Sequence, residues 1–241
     1  MAGHSHWAGI KHKKGKQDKE RSKIFAKLSR EITVAAKIGA KEPESNPRLR
    51  AAIQASRAAN MPKENISRAI SKSEMDQNKN YESLRYEGFG PHNVALMIET
   101  LTDNKNRTAS NIRTILQKSG GRLGESGSTA HYFYVCGVLH VDKSKITDEE
   151  ILDLSINVGA KDCSSNLEYH EILSEREDFY KIKSEIEKNI DSFLYSSIEW
   201  RPQTYLNVSK EESDAIVKTL EALEDDDDVQ NTFVNCNIHT N

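Results

Sequence analysis

Tyr81-Glu-Ser-Leu-Arg-Tyr-Glu-Gly-Phe-Gly-Pro-His-Asn-Val-Ala-Leu-Met-Ile-Glu-Thr-Leu101 is the stretch where the hydrophobic period of this 241-residue chain changes. Residues 83–89 and 94–101 have strand composition and length, and Gly90-Pro91-His92-Asn93 between them is a turn cluster. Helical patterns lie on both sides of this hairpin. Strands and helices in mixed order, with hairpins, predict an α+β multidomain fold rather than a doubly wound sheet.

Upstream, the pattern is helical. Ile24, Phe25, Leu28, Ile32, Ala35 and Ala36 recur at helical spacing, and Gly39 ends the run. Lys19, Lys23, Lys27 and Arg30 fall outside that apolar stripe. Asn46-Pro47 supplies an N-cap and a proline at the first helical position. A second helix follows, with Leu49, Ala52, Ile53 and Ser56 inward, and Arg48 and Arg50 lie in its first turn. Met61-Pro62 restarts the pattern for a third helix with Ile66, Ala69 and Ile70 inward, presenting Lys63, Arg68 and Lys72. The short joint between the last two resembles a helix-turn-helix. Residues 1–16 are rich in Gly, His and Lys without a period, and read as an extended arm.

Downstream, residues 73–80 read as a polar linker. A helix is predicted over 107–119, stopped by Gly120-Gly121, and a Gly-rich loop follows to residue 127. A strand over 132–141, a helix over 148–158 with acids in its first turn, a strand over 167–173, a helix over 175–189 and a strand over 192–200 come next. Another strand begins at 205–208, Ser209 caps a helix over 210–223, and residues 225–228 read as a solvated acidic turn before a strand over 229–236. The order admits two βαβ-like halves.

Charge is strongly polarised. Residues 1–72 hold 17 Lys and Arg against 6 Asp and Glu, net +11; residues 73–241 hold 17 against 31, net −14. Such a molecule has a polyanion as its expected partner, because Lys and Arg neutralise phosphates and release condensed counterions. The arm carries Lys11, His12, Lys13, Lys14 and Lys16, running on into Lys19 and Arg21, with Trp7 ahead of them to stack on a base.

Other chemistries find little support. Cys136, Cys163 and Cys236 are far apart and form no CxxC pair, so neither a disulfide framework nor structural zinc is expected. Gly120–Ser128 lacks the Gly-Lys-Ser/Thr ending of a P-loop and follows a helix instead of a strand, so it reads as a flexible loop. His4, His6 and His12 could ligate a metal, but no metal or other cofactor is expected. No GxSxG, HExxH or activated cysteine appears, and the chain reads as non-enzymatic. No apolar run reaches membrane-span length and no secretion signal opens the chain, so no membrane partner and a cytoplasmic location are expected.

Several motifs then become recognisable. Met1-Ala-Gly-His-Ser-His-Trp7, Ile10-Lys-His-Lys13, Lys23-Ile-Phe25, Arg30-Glu-Ile-Thr-Val-Ala-Ala36, Asn46-Pro-Arg-Leu-Arg50 and Ala59-Asn-Met-Pro62 closely resemble the YebC family. So do Tyr86-Glu-Gly-Phe-Gly-Pro91, Thr102-Asp-Asn-Lys-Asn-Arg-Thr108, Arg201-Pro-Gln-Thr204 and Leu223-Glu-Asp-Asp-Asp-Asp-Val-Gln230. The resemblance spans essentially the whole chain. It implies three domains: a basic helical domain with its arm (1–80), a second α+β domain (81–131 plus 204–241), and a third (132–203) inserted in the second. Family members are described as DNA-binding transcriptional regulators, and relatives include mitochondrial translational activators and factors for stalled ribosomes. Where the family usually has Gly-Pro-Gly-Gly, this chain has Gly90-Pro91-His92-Asn93, and Asn93 tolerates the left-handed conformation such a turn needs.

The expected function is therefore a nucleic-acid-binding regulator of gene expression. Promoter DNA is the first target class. Ribosomal RNA or mRNA, with the ribosome as partner, is the alternative, and a protein adaptor built on the acidic domains is a third. The expected contacts are Trp7, Lys11, His12, Lys13, Lys14, Lys16, Lys19, Arg21, Lys23, Lys27, Arg30, Arg48, Arg50, Lys63 and Arg68.

Overall fold

A computed structural model describes residues 17–75 and 81–238, with backbone alone at 17–20 and 75. Seven α-helices and eight strands occur among the described residues, in an α+β arrangement. They divide into two compact units: Tyr132–Gln203, and the remaining described residues on either side of it.

Three helices open the larger unit. Helix α1 (Gln17–Ile38) is the one on which both α2 (Pro47–Ala58) and α3 (Lys63–Met75) pack. Their core is Ile32, Ala35, Ala36, Leu49, Ala52, Ile53, Met61, Ile66 and Ala69; of the predicted apolar stripes, Phe25, Leu28 and Ile70 pack half-buried against it and Ile24 lies outside it. Asn46 is the N-cap of α2, as expected: its side-chain oxygen accepts from the Leu49 amide at 3.1 Å. Its amide nitrogen donates to the Ala35 and Ala40 carbonyls at 2.8 and 2.6 Å, so one buried side chain ties the end of α1 to the start of α2. Helix α3 runs through residues 73–75, where a linker was expected, because Ser73 is buried and bonds back to the Ile70 carbonyl.

The rest of this unit is a sheet of order β3-β1-β2-β8. Strands β1 (Glu82–Phe89) and β2 (Ala95–Thr102) form the predicted hairpin. Both His92 and Asn93 in its turn have left-handed backbones, φ 57° and 62°. Helix α4 (Lys105–Lys118) starts two residues ahead of the predicted position, behind its N-cap, Asn104. Short β3 (Arg122–Leu123) pairs with the end of β1. Helix α7 (Lys210–Glu224) begins with a full Ser209–Glu212 capping box and leads to β8 (Val229–Val234). Helices α4 and α7 bury Ile112, Leu116, Ile216, Leu220 and Leu223 against Leu96, Ile98, Val229 and Val234 of the sheet. No strand forms over 205–208; Leu206 makes an isolated parallel bridge to Cys236.

Unit 132–203 is a second sheet, β5-β6-β4-β7. It comprises β4 (Phe133–Asp142), β5 (Asp162–Ser165), β6 (Tyr169–Glu175) and β7 (Tyr195–Pro202), with α5 (Asp148–Val158) and α6 (Phe179–Ile186). Strand β5 was missed because Asp-Cys-Ser-Ser carries no apolar signal; pairing with β6 forms it. Helix α6 starts later than predicted because Ser174 and Glu175 stay extended on β4. Every paired strand in both sheets is antiparallel, so the βαβ halves do not form.

The sheet face of this unit that carries His140 holds a buried polar network. The His140 Nε2 lies 2.8 Å from Glu171, Arg201 donates to Glu171 at 2.7 Å and to Glu199 at 2.5 Å, and Tyr195 donates to Glu199 at 2.8 Å. Burial alone would raise the Glu171 carboxyl. Hydrogen bonding and charge from His140 and Arg201 reverse that and bring it down to about 2.

Candidate nucleic-acid interface

The turn between α2 and α3 is closed by backbone geometry. The Met61 amide donates to the Ser56 carbonyl at 2.9 Å and the Asn60 amide to the Arg57 carbonyl at 2.9 Å, with Asn60 left-handed at φ 57°. This is a helix-ending motif in which Asn takes the place glycine usually fills. It drives Met61 into the core, and Pro62 then opens α3. Beside the turn lies a groove of about 380 Å³, floored by Ile53, Met61, Ile66 and Ile70, with Arg57 and Lys63 on its rim.

The predicted cations divide by what they touch. Arg30 is drawn inward: its Nη1 donates to the Leu101 carbonyl at 3.2 Å, the Asp227 carbonyl at 2.6 Å and the Asp228 carboxylate at 2.9 Å. Lys23 pairs with Asp225. Arg48 makes a two-point contact with Glu31 at 2.6 and 3.0 Å. Arg50 donates to the Pro43 and Glu44 carbonyls at 3.4 and 3.2 Å. Arg21 donates to the Asn60 carbonyl at 3.4 Å and stacks over Phe25, and Lys27 is half-buried and also engaged. Only the backbone of Lys19 is described, and Trp7, Lys11, His12, Lys13, Lys14 and Lys16 lie outside the described residues, as do His4 and His6.

Lys63 and Arg68 remain exposed without an ion pair or hydrogen bond from their side chains among the described residues, and so do Arg57 and Lys72. Lys72 was not among the predicted contacts, and neither was Arg57. Its signal is the complement of the inward set on α2: with Leu49, Ala52, Ile53 and Ser56 buried, positions 50, 54 and 57 must face out. Arg68 and Lys72 stand one turn apart on α3, while Lys63 sits at its start beside the groove.

Asp225 and Asp227 of the acidic run are solvated, as expected from its composition, but Asp228 is not. Asp228 is 3% exposed. Its carboxylate accepts from Arg30, from Arg107 at 2.6 and 3.2 Å, from Thr108 at 2.8 Å and from Thr102 at 3.1 Å. Burial would raise this carboxyl, but those donors, Arg107 foremost, hold it below the ordinary range. Asp226 accepts from Asn111 at 2.8 Å. The turn therefore joins α1 to β2 and α4.

The Gly-rich stretch is likewise held rather than flexible. The buried Glu87 carboxylate accepts from the backbone amides of Gly127, Thr129 and Ala130 at 3.0, 2.8 and 2.9 Å. A side chain at Gly121 would meet the Phe89 carbonyl at 2.3 Å, so glycine is required for β3 to reach β1. No described helix is long and apolar enough to cross a membrane, and no three His, Cys, Asp or Glu cluster to hold a metal among the described residues.

The sequence matches family profiles described as the TACO1/YebC N-terminal domain over residues 5–76 and the TACO1/YebC second and third domain over residues 81–236. A protein of Pelagibacter ubique named "Probable transcriptional regulatory protein" is 54% identical over 241 residues, covering 100% of both chains. One of the same descriptive name from Zymomonas mobilis is 47% identical over 238 residues, covering 99% of this chain and 96% of the relative. The crystal structure of a conserved hypothetical protein from Aquifex aeolicus superposes with a TM-score of 0.86 at 41% identity, covering 98% of each chain. The chain belongs to the YebC/TACO1 family.

Proposed function

We propose that this regulator works by binding nucleic acid in the cytoplasm, without catalysing a reaction. One observation carries the reading: Arg57, Lys63, Arg68 and Lys72 stand exposed on α2 and α3 with no anionic partner among the described residues. They lie in a segment of net charge +11. Unneutralised cations presented by packed helices bind phosphates and release counterions. Their spacing on two helices sets orientation, and the arm would add further phosphate contacts.

The names of the relatives favour control of transcription, for which promoter DNA is the target class we propose. A second reading, ribosomal RNA or mRNA and control of translation on the ribosome, is favoured by the outer face of α3. Arg68 is its one arginine, Asn65 is half-buried, and glutamine is absent from this helix, so few groups can read base edges in a major groove. Crosslinking in cells followed by sequencing of the bound nucleic acid separates the two. Promoter enrichment supports transcription, ribosomal RNA or mRNA supports translation, and recovery of neither contradicts the nucleic-acid reading.

A further inference from the structure

We infer that the groove between α2 and α3 takes the base of one unpaired nucleotide, with Arg57 and Lys63 on the phosphates flanking it. This rests on the nucleic-acid reading above and specifies the form of nucleic acid that the bundle selects.

The floor is apolar and fixed. Ile53, Met61 and Ile66 are 7%, 5% and 7% exposed, and the backbone bonds of the Asn60 turn hold Met61 in place. Ile70 is half-buried and completes the floor. The groove is shallow and open on one side, with a volume of about 380 Å³. The rim is charged and unneutralised, because neither Arg57 nor Lys63 has an acidic partner among the described residues. Lys63 also stands in the first turn of α3, where the helix dipole disfavours a cation. A local rule broken at such a place is expected where binding, rather than folding, selects the residue.

A fully paired duplex fits this combination poorly. Its outer surface offers phosphates to the rim, but its bases are stacked inside and leave the apolar floor against water. An unpaired nucleotide supplies both halves: a flat, weakly polar ring for the floor and a phosphate on either side for the cations. An apolar protein segment would satisfy the floor and leave the two cations without partners.

The test uses the full chain and two probes: a short duplex with one central unpaired 2-aminopurine, and its fully paired counterpart, each as DNA and as RNA. The unpaired probe should bind at least about tenfold tighter, the equivalent of roughly 55 Å² of apolar surface removed from water. Its fluorescence should rise as the base leaves the stack. Ile70→Ser should abolish the preference while leaving affinity for the paired duplex, and Ile70→Val should retain it. Ser67→Asp, an exposed change that places a carboxylate beside the groove, should also abolish the preference without disturbing the core, while weakening affinity for both probes. Equal affinity for the two probes, or a preference that survives Ser67→Asp, overturns the groove and leaves the nucleic-acid reading standing. Binding of neither probe overturns both.

Discussion

Arg30 and Asp228, 198 residues apart in the chain, meet at 2.9 Å, and this contact fastens the first helix to the turn that ends α7. Asp228 simultaneously receives Arg107, Thr102 and Thr108, so one buried carboxylate organises both a basic helix and the start of α4. Asp228→Asn should destabilise the chain by about 2–3 kcal/mol in urea unfolding, since it removes the charge that Arg30 and Arg107 surround. Asp225→Asn, which touches only the exposed Lys23 pair, should cost less than about 0.5 kcal/mol. Equal losses in the two variants would remove Asp228 from its organising role.

Glu171 gives a pH signature to unit 132–203. Its folded pKa, about 2, lies below the ordinary glutamate value of ~4.3. Its contribution is therefore complete above that ordinary value and is lost as pH falls toward about 2. Glu171→Gln should lower thermal stability clearly at pH 7, and the gap to the parent should narrow steadily as pH falls below about 4. A gap independent of pH would contradict the ionised network.

The turn 90–93 stores strain that glycine would relieve. His92 is left-handed at φ 57°, a conformation that costs a side-chain-bearing residue about 1 kcal/mol or more. Its ring lies 3.3 Å from Glu212, which offsets part of this. His92→Gly should raise stability by about 0.5 kcal/mol, read as a shift in urea midpoint without a change in slope. A loss of more than about 1 kcal/mol would mean that the Glu212 contact outweighs the strain.

The arm and the bundle should contribute separately to binding. Lys11, Lys13, Lys14 and Lys16 replaced together by Gln should weaken nucleic-acid affinity and flatten its salt dependence. The same affinity and slope before and after replacement would take the arm out of the interface.

Local rules were read well from this sequence. Asn46-Pro47, Ser209 and, apart from Ile24, the inward stripes of α1 to α3 each act within one turn of helix, and the structure follows them. Long-range partners were not visible. Asp228 looks like its neighbours Asp225 to Asp227 until Arg30 and Arg107 arrive from distant positions, and Glu87 looks like an ordinary strand residue until the Gly-rich loop folds over it. The candidate interface shows the same limit. Composition marked residues 1–72 as basic, but which cations stay available depends on Asp225, Asp228 and Glu31 claiming Lys23, Arg30 and Arg48. Arg57 emerges from that subtraction.

The most direct test compares two variants of the full chain on one nucleic-acid probe across a salt series. Arg57, Lys63, Arg68 and Lys72 replaced together by Gln should bind more weakly, with a log–log salt slope shallower by about 3, at roughly 0.7–0.9 per lost phosphate contact. Lys23 and Arg48 replaced by Gln should keep the parental slope, because both are already neutralised within the chain. A parental slope in the fourfold variant, with a shallower one in the twofold variant, would contradict the interface assigned to α2 and α3.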